Sequence, residues 1–362
     1  MTTRIHRARA ARFAAIAAFA TLATVAALAA TACHRTTVAT PPPDQLPLGQ
    51  LAALAARAEA TGQPVVTGRD GWLFYAPELR ALAAGEFWGE AAARASRAEN
   101  PADADPLPAI LDFQAQLARH GIDLLVVPVP ARAAIYADKL PEEIPRLAAG
   151  TRLDPYHQRF YRLLGERGVK VLDLTEPFLA ARDDGSPLFC RQDAHWVGRG
   201  IAIAAHAIAT AIGEREWRPP SPATPYLVSV ERRVLTGDLW TDLPEPRPQR
   251  EEADIEVVEQ PGGGLLKTWR KSPVLLLGDS YVLSFHTGGD LQAKGAGLPD
   301  HLAKELGFPV DYEAVRNGGS TPARINLLRR GDGLASKRVV VWVFSMREFT
   351  EGAGWKKLEI LR

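Results

Sequence analysis

The sequence predicts an α/β fold, a three-layer sandwich around a mostly parallel central sheet, preceded by an N-terminal signal or anchor. Three observations point there. Short uninterrupted apolar runs, such as Leu124-Leu125-Val126-Val127 and Leu275-Leu276-Leu277, read as strands buried on both faces. Stretches of helical period separate them, the alternation that builds a parallel sheet covered on both sides. The chain has 362 residues, 46% hydrophobic and 23% charged, enough to build a large core.

The first 33 residues read as a separate segment. Arg4, Arg7, Arg9 and Arg12 lead into an uncharged, Ala-rich run from Phe13 to Ala32, the shape of an export signal. Ala30-Thr31-Ala32 before Cys33 fits a cleavage site, and Cys33 also fits the lipid-modified first residue of a lipoprotein. The run is also about long enough to cross a bilayer uncleaved. Cleaved, lipidated and anchored forms all place the body outside the cytoplasm. Cys190 is the other of two cysteines, so losing or lipidating Cys33 leaves no intramolecular disulfide. Cys190 itself reads as a small buried residue, not as a nucleophile or ligand. Formal net charge is +1, and basic runs are lacking in the body, which argues against nucleic acid as a partner.

Residues 34–60 are expected to form a linker and first helix, with Thr36 to Gln50, including Pro41-Pro42-Pro43, as the tether. A single domain is then expected over 61–362. Asp70-Gly71 between Val65-Val66-Thr67 and Trp72-Leu73-Phe74-Tyr75 predicts a hairpin. Leu107 to His120 predicts a helix, Asp123 to Val129 a strand, Tyr156 to Arg167 a helix, Val169 to Leu174 a strand, and Val197 to Ile212 an Ala-rich helix. Residues 218–264, rich in Pro and charge, are expected to be an irregular surface excursion. Pro273 to Leu277 predicts a strand with a helix starting at Ser280. Val310 to Val315, Thr321 to Arg330 and Val339 to Phe344 then predict strand, helix and strand.

Ligands of such sheets sit beyond the carboxyl ends of the strands, so the residues just past each apolar run are the candidates for chemistry. Gly278-Asp279-Ser280 places a serine there, on the first turn of a helix. Gly278 allows a sharp turn, Asp279 is suited to hold the loop through backbone N–H groups, and the helix start offers free donors to an oxyanion. Simple helix capping by Asp279 or Ser280 is the plain alternative. Val282 excludes the G-x-S-x-G elbow. Asp193-Ala194-His195 is the second constellation. In extended backbone, residues two apart share a side, so Asp193 can accept from one ring nitrogen of His195 and leave the other for a nucleophile. A capping Asp beside a half-buried His is the alternative. No metal-ligand spacing is present, and no cofactor is expected. His286 lies too far along the Ser280 helix to serve as its base, and His157, His206 and His301 read as ordinary helix-face residues. Asn317-Gly318-Gly319 comes after a strand, where glycines let backbone N–H groups approach a ligand or simply make a turn. Arg347 ends another strand, positioned either to hold a substrate or to pair with Glu348.

These segments resemble the alginate O-acetyltransferases of the AlgJ/AlgX type, which carry an SGNH-hydrolase-like domain. The likeness rests on Gly68 to Tyr75, Val127-Pro128-Val129-Pro130 with Tyr136 and Leu140-Pro141, Asp193-Ala194-His195-Trp196, Gly278-Asp279-Ser280-Tyr281, and Trp342-Val343-Phe344 with Arg347. Asp-x-His-Trp ahead of Gly-Asp-Ser is its specific part. Arg132 stands where that family commonly has Lys, and Met346-Arg347 where it has Glu-Arg. The resemblance implies Ser280 as nucleophile, His195 as base and Asp193 as its partner. It also implies a polysaccharide acceptor and a membrane-bound O-acyltransferase that supplies acetyl groups across the membrane. The oxyanion would be held by the Ser280 N–H with Gly318 or Gly319, and the substrate positioned by Asn317 and Arg347. An exported acetyl-esterase would use the same residues. A catalytically inactive polysaccharide-binding subunit would instead rely on tryptophans such as Trp72, Trp88, Trp196 and Trp240.

Overall fold

The computed structural model describes residues 41–148, 150–220 and 225–361. The export segment expected over 1–33 lies outside them, as do residues 34–40 of the expected tether. Among the described residues no helix is long and apolar enough to cross a membrane.

The chain opens with helix α1 (Leu48–Ala60) and the paired strands β1 (Val65–Thr67) and β2 (Leu73–Tyr75), followed by α2 (Ala76–Ala83) and α3 (Pro106–Arg119). Strand β3 (Asp123–Val129), helix α4 (Pro155–Glu166), strand β4 (Lys170–Val171) and helix α5 (Gly198–Ile212) come next. A two-stranded antiparallel ribbon of β5 (Leu227–Val234) and β6 (Glu252–Glu259) then precedes β7 (Val274–Gly278). The single turn α6 (Ser280–Leu283), α7 (Leu298–Leu306), β8 (Asp311–Ala314), α8 (Thr321–Arg329) and β9 (Val339–Ser345) complete it.

Five strands form the central sheet in the order β4-β3-β9-β7-β8, every neighbouring pair parallel. The strand pleat explains why the sheet is covered on both sides. In β9, Val339, Val341 and Val343 join one apolar cluster, while Val340, Trp342 and Phe344 join the other. Leu125, Val127 and Val129 of β3 share the first face, and Leu124 and Val126 the second. Buried residues of α1, α2, α5 and α7 cover the first face, and those of α3, α4 and α8 the second. This is the predicted α/β sandwich with a parallel core.

Three expectations need correction. The first helix expected within residues 34–60 is α1, but the tether read as far as Gln50 ends earlier, because Leu48, Leu51, Leu54, Ala55 and Ala58 are buried in the first apolar cluster. Leu46 is buried too, so the globular body begins well before residue 61. The stretch expected to be irregular over 218–264 is not so throughout, since residues 225–264 hold the β5–β6 ribbon and a helical turn at Asp238–Thr241. Ile255, Val257 and Val258 of β6 are buried, whereas β5 is largely exposed, with Glu231, Arg232 and Arg233 set among its valines. The strand read at Val169 to Leu174 shrinks to Lys170–Val171, because at the sheet edge it pairs only with Leu125 and Val126.

Of the tryptophans considered as sugar platforms, Trp72 and Trp196 are core residues. Trp196 packs edge-on against Tyr281 at 5.1 Å. His157 and His301 are likewise buried. His157 sits among Phe87, Tyr161 and Phe349, where burial pushes its imidazole down to about 3.

Candidate active site

The carboxyl ends of β3, β7, β8 and β9 all open onto one edge of the sheet, and the residues of interest gather there. Ser280 follows β7 directly. The need for Gly278 is steric and not a matter of turn conformation: a Cβ there would lie 1.8 Å from the Val343 carbonyl oxygen of β9. Asp279 clamps the turn between strands. Its Oδ1 accepts the Tyr281 N–H at 2.9 Å and its Oδ2 the Ser345 N–H at 2.8 Å. The loop-holding role expected of Asp279 is thus visible as two bonds, one of them to β9.

Asp193 and His195 lie on a tight loop whose legs pair at Phe189 and Trp196. The extended-strand argument does not describe this loop, which bends through residues 191–195. The Asp193 side chain instead folds over its own backbone: Oδ1 accepts the His195 N–H at 3.0 Å and faces His195 Nδ1 at 2.7 Å. His195 Nε2 then stands 2.8 Å from Ser280 Oγ. Hydroxyl, imidazole and carboxylate therefore line up, with His195 and Ser280 lying 85 residues apart in the chain.

Several residues hold this line; Tyr281 and Arg132 belong to the segments that carry the family resemblance, whereas Gly237, Asp238 and Glu251 carry no short motif that would mark them in the sequence. The Tyr281 hydroxyl donates to the Ala194 carbonyl at 2.7 Å, tying the histidine loop to the serine turn. The fully buried Arg132 donates to the carbonyls of Cys190 and Asp193. From the ribbon, the Asp238 N–H donates to Asp193 Oδ2 at 3.2 Å, and Asp238 Oδ1 accepts the Ala194 N–H at 2.7 Å. Glu251 accepts the N–H groups of Arg191 and Gln192. A Cβ on Gly237 would lie 2.0 Å from the Gln192 carbonyl oxygen, so ribbon and loop touch backbone to backbone. The supposed surface excursion is the clamp of the histidine loop.

Charge follows from these contacts. Burial works against ionised Asp193, but the His195 ring and the His195 and Asp238 N–H groups prevail and hold its carboxyl down at about 2. Burial works against protonated His195, yet the hydrogen bond and charge of Asp193 lift it above the ordinary imidazole value. Together they make a base whose proton is shared with a permanent anion. Asp193, His195 and Asp238 bring potential ligand atoms within 4.8 Å of one another. Nδ1 already faces Asp193 and Nε2 faces Ser280, so the set is arranged as a proton relay more than as a metal centre.

The remaining candidates separate. The Gly318 N–H donates to the Val315 carbonyl at 3.1 Å, and is committed to the turn. Gly319 lies against the serine turn, where a Cβ would be 3.2 Å from Asp279 Cβ and 2.6 Å from Phe344 Cβ. Neither its N–H nor that of Ser280 has an acceptor among the described residues. Asn317 is exposed at the tip, with φ 53°. Arg347 is buried and does not pair with Glu348. It lies 3.7 Å from Glu78 and stacks over Tyr75 at 5.3 Å. His286 pairs with Asp300 at 2.8 Å, and His206 with Glu305 at 2.9 Å. Cys190 is a buried free thiol, its pKa pushed up by that burial.

A parallel sheet between two helical layers, with serine, histidine and aspartate aligned at its carboxyl edge, is an SGNH-hydrolase-like architecture. The chain matches the family model described as "SGNH hydrolase-like domain, acetyltransferase AlgX" over residues 65–346, and it belongs to that family. It is 29% identical over 255 residues to a Pseudomonas syringae pv. tomato protein named probable alginate O-acetylase AlgJ, covering 66% of this chain and 60% of that one. A Pseudomonas putida protein of the same name is 29% identical over 298 residues, 79% of this chain and 70% of its own length. This chain thus spans 60% and 70% of those two relatives. The solved O-acetyltransferase domain of Pseudomonas putida AlgJ superposes with a TM-score of 0.59 at 25% identity, covering 79% of this chain and 92% of the domain. Pseudomonas aeruginosa AlgX, at 16% identity and a TM-score of 0.55, shares the fold over 82% of this chain and 67% of its own.

Proposed function

We propose that this chain transfers acetyl groups to hydroxyls of an extracytoplasmic polysaccharide through an acetyl-Ser280 intermediate. The observation that carries the proposal is the alignment of Ser280, His195 and Asp193 at 2.8 and 2.7 Å in a chain of an acetyltransferase family. Ser280 Oγ gives its proton to His195 Nε2 as it attacks the acetyl carbonyl of the donor. The N–H groups of Ser280 and Gly319 hold the oxyanion that forms. Its collapse breaks the bond to the donor oxygen, which leaves with the proton from Nε2. A sugar hydroxyl then attacks acetyl-Ser280 as Nε2 takes its proton, and the second collapse returns that proton to Ser280. No cofactor is required.

The names of the relatives make alginate the first acceptor to test. The basic start and apolar run of residues 1–33 support export to the periplasm or cell envelope, cleaved, lipidated through Cys33 or anchored. Acetyl-CoA is a cytoplasmic donor, so a membrane-bound O-acyltransferase is the proposed source of acetyl groups.

The test is incubation of the protein with an aryl acetate, with and without oligouronate acceptors, followed by mass analysis of the sugars. Acetylated sugar that disappears in Ser280→Ala is expected, with a fall of roughly 10³-fold or more. Undiminished turnover in that variant refutes the assignment. Hydrolysis indifferent to acceptor, with no acetylated sugar, makes the protein an esterase.

A further inference from the structure

Asp193 receives one bond that its own loop and the ribbon's backbone do not supply. Gln292 lies on the loop that returns from α6 toward α7, and its Nε2 donates to Asp193 Oδ2 and to the Thr236 carbonyl, both at 2.9 Å. A primary amide carries two N–H donors, and both are used here. The Asp193 carboxylate is only 3% exposed and its oxygens take four donors: the His195 N–H and Nδ1 on Oδ1, the Asp238 N–H and Gln292 on Oδ2. That matches the acceptor capacity of an ionised carboxylate. The carboxylate has no spare lone pair with which to turn.

The backbone of Gln292 supports a directed role. It adopts φ 75° and ψ −100°, a conformation that side-chain-bearing residues rarely hold. The loop around it is pinned by Phe285 N–H to Leu291 O and Ala296 N–H to Phe285 O, each at 2.8 Å, and by the Val258 N–H to Gly295 O at 2.7 Å. A constrained loop, in a conformation costly for glutamine, thus presents an amide to the buried acid.

Resting on the reading of the site given above, we infer that Gln292 is a positioning residue that fixes Asp193 so that Oδ1 stays aimed at the His195 ring. It touches neither the acetyl group nor the imidazole. The loop following the nucleophile thereby reaches back to orient the acid, closing a circuit from Ser280 through His195 and Asp193 to Gln292.

The experiment measures aryl-acetate hydrolysis by the full chain against pH, for Gln292→Leu, Gln292→Lys and each combined with Asp193→Asn. The charged groups facing His195 are Asp193, Asp238 and, at longer range, Arg347, Asp279 and Glu78. Losing a hydrogen bond to a buried carboxylate should lower kcat in Gln292→Leu by about 10- to 100-fold with KM little changed. Lysine restores a donor to Oδ2 and adds a cation that disfavours the imidazolium. Gln292→Lys should therefore recover most of kcat and move the acid limb to lower pH. On the Asp193→Asn background Gln292→Leu should cost little more, since the residue acts through that carboxylate. An equal loss on both backgrounds, or a lysine variant as slow as the leucine one with its acid limb unmoved, overturns the inference. Either result leaves the dependence on Ser280 intact, whereas a Ser280→Ala enzyme with full turnover fails the site reading itself.

Discussion

Glu348 offers a test of the electrostatics beneath the site. It follows β9, is 3% exposed, and its Oε2 accepts the Ser320 N–H at 3.2 Å beside the Gly319 turn. Burial and the charge of Asp279 lift its carboxyl from 4.5 to about 7, with Arg347 opposing. In the unfolded chain the group ionises near its ordinary value, while the folded chain keeps the proton until near neutrality. Between those values the unfolded state binds fewer protons, so stability drains away as pH rises through the window and stays low above it. A difference of about 2.5 units, at about 1.4 kcal/mol each, sets the penalty near 3 kcal/mol at about pH 8. Glu348→Gln removes the charge and keeps an oxygen for the Ser320 N–H. Urea titrations between about pH 4 and pH 8 should show the variant more stable by up to about 3 kcal/mol at the alkaline end, converging with the parent in acid. Parallel stability curves across that range would refute the reasoning, because ionisation of the buried carboxyl would then cost the fold nothing.

Two further outcomes test the scaffold around Ser280. Gly278→Ala places a methyl 1.8 Å from the Val343 carbonyl oxygen, so β7 and β9 must part and stability should fall by about 3 kcal/mol; a denaturation midpoint matching the parent would contradict the close approach. Tyr281→Phe keeps the ring against Trp196 but strips the Ala194 carbonyl of its 2.7 Å donor. A loss of about 1–3 kcal/mol is expected, together with slower acetyl-ester turnover as the histidine loop loosens, and an unchanged midpoint would count against that tie.

How much of the molecule was legible in the sequence differs from element to element. The continuous apolar runs of β3 and β9 announce strands buried on both faces, and their ends match the expectation within a residue. Ser280 stood out as a candidate because its motif coincides with a strand end, and Asp193 with His195 through their spacing and the Trp196 that follows, although the loop that carries them is bent and not a strand. Strand β5 was hidden because Glu231, Arg232 and Arg233 interrupt its valines, and a half-exposed ribbon strand does not look apolar. Helix α1 shows a plain apolar stripe of Leu48, Leu51, Leu54 and Ala55, yet its neighbouring prolines suggested a tether. Gln292, Asp238 and Tyr281 act through bonds to partners 99, 45 and 87 residues away. Local pattern carries no trace of such distant pairing, and the left-handed backbone of Gln292 has no signature in a side chain that ordinarily avoids it.

The last strand in sequence, β9, is the middle strand in space. As a ribosome releases the chain, β3 with β4 and β7 with β8 can each form only half of a sheet, both with a bare apolar edge, until residues 339–345 arrive to join them. The turn that carries Ser280 is moored to this latecomer through Val343 and Ser345. A nascent or clipped chain that stops short of β9 therefore holds Ser280, His195 and Asp193 but lacks the strand against which the serine turn is set.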